Sequence, residues 1–343
     1  MISVRRRALA FVAALTLLAA CDGGSGTEQK AAPAAGGALK TVTYLTGAGV
    51  QGREAYIYVA MEKGFFKEAG LDVKVQPGNG TEQNLKLLQS GRADYAIVDI
   101  TAALIAYGEK TFTDFTVVSA VQQLNLSCIM ALSDSGISRP SDLAGKKIAY
   151  IPGGVVYTLF GAYAKLAGVD ASKIQWVPMP PAQMAQNLAA GSIDAATQFA
   201  VGKPAVENAA KGRQAVIMPF STYLTDLYGN GLAVTKKALA DDPKQVKAFN
   251  DAMLKGLQYA LEHPDEAGEI YAKYQKLQPA KVAAAETTLM KPYVQSANSG
   301  GAIGVLDRQR VVRNIAVIQS AGIIPAGLSP DDVVTYEIPT AKK

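Results

Sequence analysis

The sequence predicts an α/β protein built on open, mostly parallel sheets with helices on both faces, and three observations predict it. Residues 62–75 read EKGFFKEAGLDVKV: a helix end, glycine stops at Gly64 and Gly70, then a strand in which Leu71, Val73 and Val75 alternate with Asp72 and Lys74. Residues 90–98, SGRADYAIV, repeat that grammar, with a helix closing on Gly91 and a strand from Tyr95. After a break at Ser133-Asp134-Ser135-Gly136 a second series of the same kind begins. Strands that alternate with helices form parallel sheets, and such sheets bind small molecules beyond the carboxyl ends of their strands.

The first series places strands at 41–46, 71–76, 95–98, 115–120 and 127–132, joined by helices over 54–63, 81–89 and 100–107. In the second, strands fall at 147–150, 173–177, 195–199 and 215–218, with helices over 155–166, 181–190 and 203–210. One more strand is expected at 232–235, followed by helices over 243–262, 264–274, 280–293 and 307–320. Pro243 and Pro264 stand where proline suits a first helical turn. A body of about 300 residues exceeds the usual size of one core, so two lobes are expected.

The first twenty residues read as an address. Arg5, Arg6 and Arg7 head an uncharged apolar run, Ala8 to Ala20, too short to span a bilayer core of about 30 Å. Leu18-Ala19-Ala20-Cys21 has the form of a bacterial lipobox, which predicts cleavage before Cys21 and lipidation of its thiol. Residues 21–39 are a Gly/Ala/Ser/Thr-rich tether without apolar periodicity. The expected location is the outer face of the cytoplasmic membrane, with the body held by a lipid anchor. The triple arginine is compatible with general or twin-arginine export.

Losing those three arginines turns 34 basic and 29 acidic residues into 31 and 29. That near balance excludes the basic footprint of a nucleic-acid binder. With Cys21 acylated, Cys128 is alone in the apolar run 126–132 and reads as a small buried hydrophobe.

The EKGFF and SGRADYAI segments, with the phrase from Ser135 to Lys146, resemble the solute-binding proteins of ABC importers, in the branch for nitrate, alkanesulfonates, taurine and thiamine pyrimidine precursors. The resemblance implies a two-lobed periplasmic-binding-protein fold of type II with two hinge strands. Lobe one would be residues 40–132 plus 233–343, and lobe two residues 133–230. It further implies a monomer that captures a small molecule between the lobes, presents its closed form to an ABC permease and needs no cofactor or metal.

The candidate ligand residues stand where strands end. Gly47-Ala48-Gly49-Val50-Gln51-Gly52 matches G-x-G-x-x-G between a strand and a helix, the setting of a dinucleotide fingerprint. The acidic residue that should end the second strand is missing, because that end reads Gln76-Pro77-Gly78-Asn79. A rim loop is the plain reading, and the resemblance implies one whose backbone approaches ligand at Gln51. Gly153-Gly154-Val155-Val156-Tyr157-Thr158 opens a helix, whose N-terminus favours negative charge or an acceptor oxygen. Asn79, Thr81, Asp99, Thr101, Gln122 and Gln198 put polar groups just past apolar strands, where a cap or turn role is equally open. Tyr157, Tyr223 and Tyr228 offer rings for stacking, with Asn230 beside the last. The resembled pyrimidine branch carries a comparable Tyr-Gly pair, so Tyr228→Ala is expected to weaken binding more than stability. Trp176 alternates within its strand and reads as core. Arg53 and Glu54 form either a polar clamp or a surface helix start.

No arginine stands at the glycine loop, which favours a neutral, flat heteroaromatic ligand such as a thiamine pyrimidine precursor over a sulfonate, taurine or nitrate; riboflavin is a further alternative. An enzyme is disfavoured. His263 is the sole histidine, leaving no triad and no His/Cys metal set, and the cysteine-rich motif of the pyrimidine-synthesising relatives is absent.

Overall fold

The computed structural model describes residues 38–296, 299–336 and 338. The leader, the tether and Cys21 lie outside these residues. Elements run β1 (Lys40–Leu45), α1 (Ala55–Glu62), α2 (Phe65–Glu68), β2 (Leu71–Gln76), α3 (Thr81–Gln89), β3 (Tyr95–Asp99), α4 (Ile100–Gly108), β4 (Thr116–Ala120) and β5 (Ser127–Leu132). They continue with β6 (Lys147–Tyr150), α5 (Val155–Ala167), β7 (Gln175–Pro178), α6 (Pro181–Ala190), β8 (Ala195–Phe199), α7 (Lys203–Ala209), β9 (Ala215–Pro219) and β10 (Asn230–Val234). Helices α8 (Lys236–Asp241), α9 (Pro243–Glu262), α10 (Pro264–Tyr274), α11 (Ala280–Val294), α12 (Arg308–Ser320) and α13 (Pro330–Val333) follow.

Two five-stranded sheets share one plan: β2-β1-β3-β10-β4 and β7-β6-β8-β5-β9. In each, the first three strands are parallel and the fourth runs antiparallel to both neighbours. The antiparallel strand is always the one that has just crossed from the other sheet: β5 follows β4, and β10 follows β9. The expected boundary at residue 132 is corrected by this exchange. Residues 127–132, assigned above to lobe one, pair with β8 and β9 because the chain crosses over at 121–126.

Both faces of the sheets are covered, which explains near-continuous apolar strands. In β3, Tyr95 and Ile97 face a core shared with α1, α9 and α10, whereas Ala96 and Val98 face one shared with α3, α4 and α12. In β5, Ile129 and Ala131 join that second core, and Cys128, Met130 and Leu132 pack with α6 and α7. Helix α9 starts with Asp242 accepting a hydrogen bond from Gln245 N–H at 3.0 Å, then buries Val246, Phe249, Met253, Leu257 and Ala260 at helical spacing. Phe249 stacks on Tyr95 and packs beside Tyr44 and Phe66.

The sharpest sequence motif proves to be structural. Gly91 ends α3 with a positive φ of 70°, and three residues on Asp94 accepts a 2.7 Å hydrogen bond from Thr43 N–H on β1. The second sheet repeats this at Gly191 and Asp194, which accepts from Lys147 N–H on β6 at 2.8 Å. The carboxylate pins the start of β3 to β1 and the start of β8 to β6, so the glycine-to-aspartate spacing sets the register.

Candidate functional site

A cavity of about 140 Å³ lies between the sheets, lined by strand ends from both. The first sheet and its loops supply Gly47, Gln51, Arg53, Thr81, Asp99 and Asn230; the second supplies Ile151, Gly154, Tyr157, Thr197, Gln198 and Phe199. Helices α6 and α7 add Met184 and Asn208, the α10–α11 connection adds Leu277 and Gln278, and α11 adds Glu286.

The loops after β1 and β2 are fastened to each other. Thr46 Oγ1 donates to Gly49 O and accepts from Gly78 N–H, while Asn84 Nδ2 donates to Thr46, Gly47 and Ile97 carbonyls. A Cβ on Gly78 would sit 1.9 Å from Thr46 O, so only glycine permits this approach. The N–H groups of Gly47, Gly49 and Gly52 donate to Glu54, Gly78 O and Gln278. These three donors are spent inside the protein, while Gly47, Ala48 and Gln51 of the same loop line the cavity.

Seven of the fourteen proposed ligand residues come together on the cavity: Gln51, Thr81, Asp99, Gly154, Tyr157, Gln198 and Asn230. Thr81 Oγ1 accepts from Asp99 N–H, and Asp99 caps α4 through Ala102 N–H while accepting from Asn125 Nδ2. Burial pushes the Asp99 carboxyl up to about 8, against the pull of its backbone hydrogen bonds. Tyr157 stacks on Tyr150 with ring centroids 4.2 Å apart and meets Trp176 edge-on. Trp176, expected in the core, is half-buried: it packs against the core through Phe160 and braces Tyr157 on its other side. Cys128 is buried as expected, its thiol pushed up by burial and donating to Gln198 O.

The other seven do not line the cavity. Thr101 and Gln122 are internal ties: Thr101 Oγ1 donates to Tyr228 O, and Gln122 Oε1 accepts from Asn230 N–H. Thr158 Oγ1 donates back to Gly154 O within its own helix. Tyr223 packs edge-on against Tyr163. Tyr228 is fully buried, its hydroxyl accepting from Asp307 N–H and its ring lying 4.0 Å beneath the Arg310 guanidinium. Its proposed contact with ligand is thus replaced by a packing role. Asn79 and Gly153 sit on the rim, where Asn79 bridges Ala48.

At that rim the two halves touch. A Cβ on Gly153 would lie 2.1 Å from Glu82 Oε2 across the cleft, and Gly153 has a positive φ of 69°. Gly153→Ala is expected to lower apo stability by about 1 kcal/mol through the left-handed backbone. By propping the rims apart, it should weaken solute capture about tenfold in calorimetry. An affinity equal to wild type would show that the rims need not meet.

Sequence reasoning left Arg53 and Glu54 undecided and missed Glu286. Arg53 is 7% exposed; its Nη2 donates to Ala48 O and its guanidinium lies 5.3 Å from the Phe199 ring centroid. Glu286 accepts from Arg53 N–H at 2.9 Å and from Gln278 Nε2 at 3.0 Å. Glu54 accepts from Gly47 N–H and from the Tyr56 hydroxyl, which also bonds Tyr44. Burial raises both carboxyls, with Arg53 acting against it. Glu286 was visible as a lone acid among the apolar and small residues of α11, but its partner Arg53 lies more than 200 residues away.

A family model described as NMT1/THI5 like matches residues 52–267. The chain belongs to the NMT1/THI5-like family. Among the relatives of this NMT1/THI5-like chain, a formylaminopyrimidine-binding protein of Halalkalibacterium halodurans is 24% identical over 263 residues, 76% of each chain. A putative aliphatic sulfonates-binding protein of Bacillus subtilis is 25% identical over 284 residues, 80% of each. The alkanesulfonate-binding protein SsuA from Xanthomonas axonopodis pv. citri, solved with MOPS bound, superposes with a TM-score of 0.68 at 16% identity, covering 88% of this chain and 99% of its own. The NMT1/THI5-like chain thus has the periplasmic-binding-protein fold.

Proposed function

We propose that this protein is the solute receptor of an ABC importer, exported and tethered by a lipid on Cys21, that closes two lobes over a small molecule and presents the closed form to its permease. The observation that carries the reading is the cavity itself, walled by strand ends of both sheets and spanned by two chain crossings. Contacts to both walls exist only when the cleft is shut, so a bound solute favours closure. The lobes in this reading are the two sheets with their helices, hinged at 121–126 and 220–229. Tyr157 and Phe199 provide ring faces, which suit a flat heteroaromatic body such as a thiamine pyrimidine precursor. Sulfonates, taurine, nitrate and riboflavin are the alternatives to be tried beside it.

The test is native mass spectrometry of protein purified without denaturation from cells grown in rich medium. A co-purified small molecule is the expected result. An empty protein would be taken through a thermal-shift panel of pyrimidines, flavins, sulfonates and nitrate, where a solute at about 100 times its Kd adds roughly 2.7 kcal/mol. Silence in both would leave the fold without this function.

Binding rather than catalysis also fits the one histidine. His263 joins α9 to α10 with its ring 4.4 Å from that of Tyr259 and lines no part of the cavity. His263→Ala is expected to leave solute affinity unchanged in calorimetry; a large loss would reopen the enzymatic reading.

A further inference from the structure

We infer that Asn125 is a positioning residue for solute capture: its side chain ties the cavity wall to both chain crossings and holds the cleft in its closed arrangement. The inference rests on the reading of the cleft as a solute site and names what governs its closure. Asn125 lies in the crossing from β4 to β5, is 6% exposed and lines no part of the cavity. Its Nδ2 donates to Asp99 Oδ2 at 3.1 Å and to Tyr228 O at 3.0 Å, and its Oδ1 accepts from Ser127 N–H at 2.8 Å. Its backbone N–H donates to Leu227 O at 3.0 Å. These bonds reach a cavity-lining carboxyl on the first sheet, the returning crossing, and the first residue of β5 in the second sheet. Among the described residues no other side chain joins those three places.

The cleft is shut at its rim, where Glu82 lies against Gly153 of the opposite half. The ties of Asn125 are therefore ties of the closed arrangement. Moving one sheet away from the other turns the chain at 121–126 and 220–229, and that rotation shifts Ser127 relative to Asp99 and Tyr228. A buried amide cannot follow both sides without losing a hydrogen bond that no water replaces there. Asp99 is 4% exposed and accepts at Oδ1 from Ala102 N–H, which leaves each carboxylate oxygen a second acceptor site. A solute group that meets Asp99 thus meets the carboxyl that orients Asn125. Arg310 also holds the crossings together, through Gln123 and Leu227, but it reaches neither the cavity nor β5. Replacing Asn125 does not strip the returning crossing of partners. Tyr228 O keeps Thr101 Oγ1 as a donor, and Leu227 O keeps the backbone N–H of residue 125.

The experiment follows the radius of gyration of the purified full chain by small-angle scattering while the small-molecule fraction of rich growth medium is titrated in. Wild type should contract, and the amount of extract that gives half the contraction is the reading. Asn125→Ala should start from a larger radius and need about tenfold more extract, because apparent affinity falls with the fraction of molecules that close. Asn125→Asp keeps an acceptor for Ser127 N–H and loses the amide donors. It should shift in the same direction, and it decides if Asn125→Ala does not fold. Asp99→Ala combined with Asn125→Ala should raise the required amount by clearly less than the product of the two single effects, since both remove one shared bond. A merely structural Asn125 would lower the thermal midpoint of its variants and leave the starting radius and the half-contraction amount at wild-type values. That result, effects that multiply in the double variant, or tighter capture by either Asn125 variant would overturn the assignment and leave the receptor reading standing. A wild type that does not contract would overturn that reading, and the role of Asn125 with it.

Discussion

Arg310→Ala is expected to cost the folded protein about 3 kcal/mol or more, seen as a lower urea midpoint. Arg310 is 2% exposed and ties together the two segments by which the chain crosses between sheets. It donates to the carbonyl and side chain of Gln123 on the outgoing crossing, and to Leu227 O on the returning one. Its guanidinium also covers the Tyr228 ring. Gln123 O would be left without a donor, at a cost of about 1–3 kcal/mol for a buried carbonyl, whereas Leu227 O keeps its hydrogen bond from Asn125 N–H; the lost packing of the long side chain adds to that cost. Relief from burying the cation, which lowers the Arg310 pKa, offsets only part. Tyr228→Ala should fall in the same class, at about 3–5 kcal/mol for a fully buried ring. An unchanged midpoint in both variants would mean that the crossings are held by backbone pairing alone.

Stability without solute is expected to fall as pH rises from about 4 to about 8. Asp99 is raised to about 8 in the folded protein, whereas an unfolded aspartate titrates near 3.9. Between these values the folded state holds a proton that the unfolded state has released, so stability declines with pH across the window. Below the unfolded value both states are protonated and this dependence vanishes. Burial raises Glu54 and Glu286 in the same direction. For Asp99 alone the full span is of the order of several kcal/mol, so urea midpoints at pH 5 and pH 8 should differ clearly. Asp99→Asn, which imitates the protonated acid, should flatten much of that slope. A wild-type midpoint that does not fall over the window would mean that these carboxylates are ionised and compensated inside the fold.

Much of this architecture was legible because local rules and tertiary structure agree. Glycine stops followed by period-two strands located nearly every element, and Gly91 with Asp94 marked a register device that recurs at Gly191 and Asp194. What stayed hidden depends on distant partners. Ser127–Leu132 reads as one more strand of its series, and nothing local tells that it joins the other sheet. Tyr228 looked like a loop ring until Arg310 and Asp307 arrived from residues some 80 positions on. Of the polar residues just past strands, Thr81, Asp99 and Gln198 line the cavity while Thr101 and Gln122 tie the interior and Asn79 sits on the rim; Asp99 caps a helix as well, since a strand end demands both. Arg53 and Glu54 were ambiguous because a charged pair before a helix is usually solvated, and only packing of α11 over residues 52–54 buries them.

The reciprocal strand exchange also sets an order of assembly. All five strands of the second sheet lie in one continuous stretch, residues 127–219. The first sheet, begun at residue 40, has no strand between β3 and β4 until residue 234 has been made. During synthesis the earlier half therefore waits, with two edges open, for a later half that can already be complete. A chain truncated before residue 230 would keep every strand of one sheet and leave the other split in two.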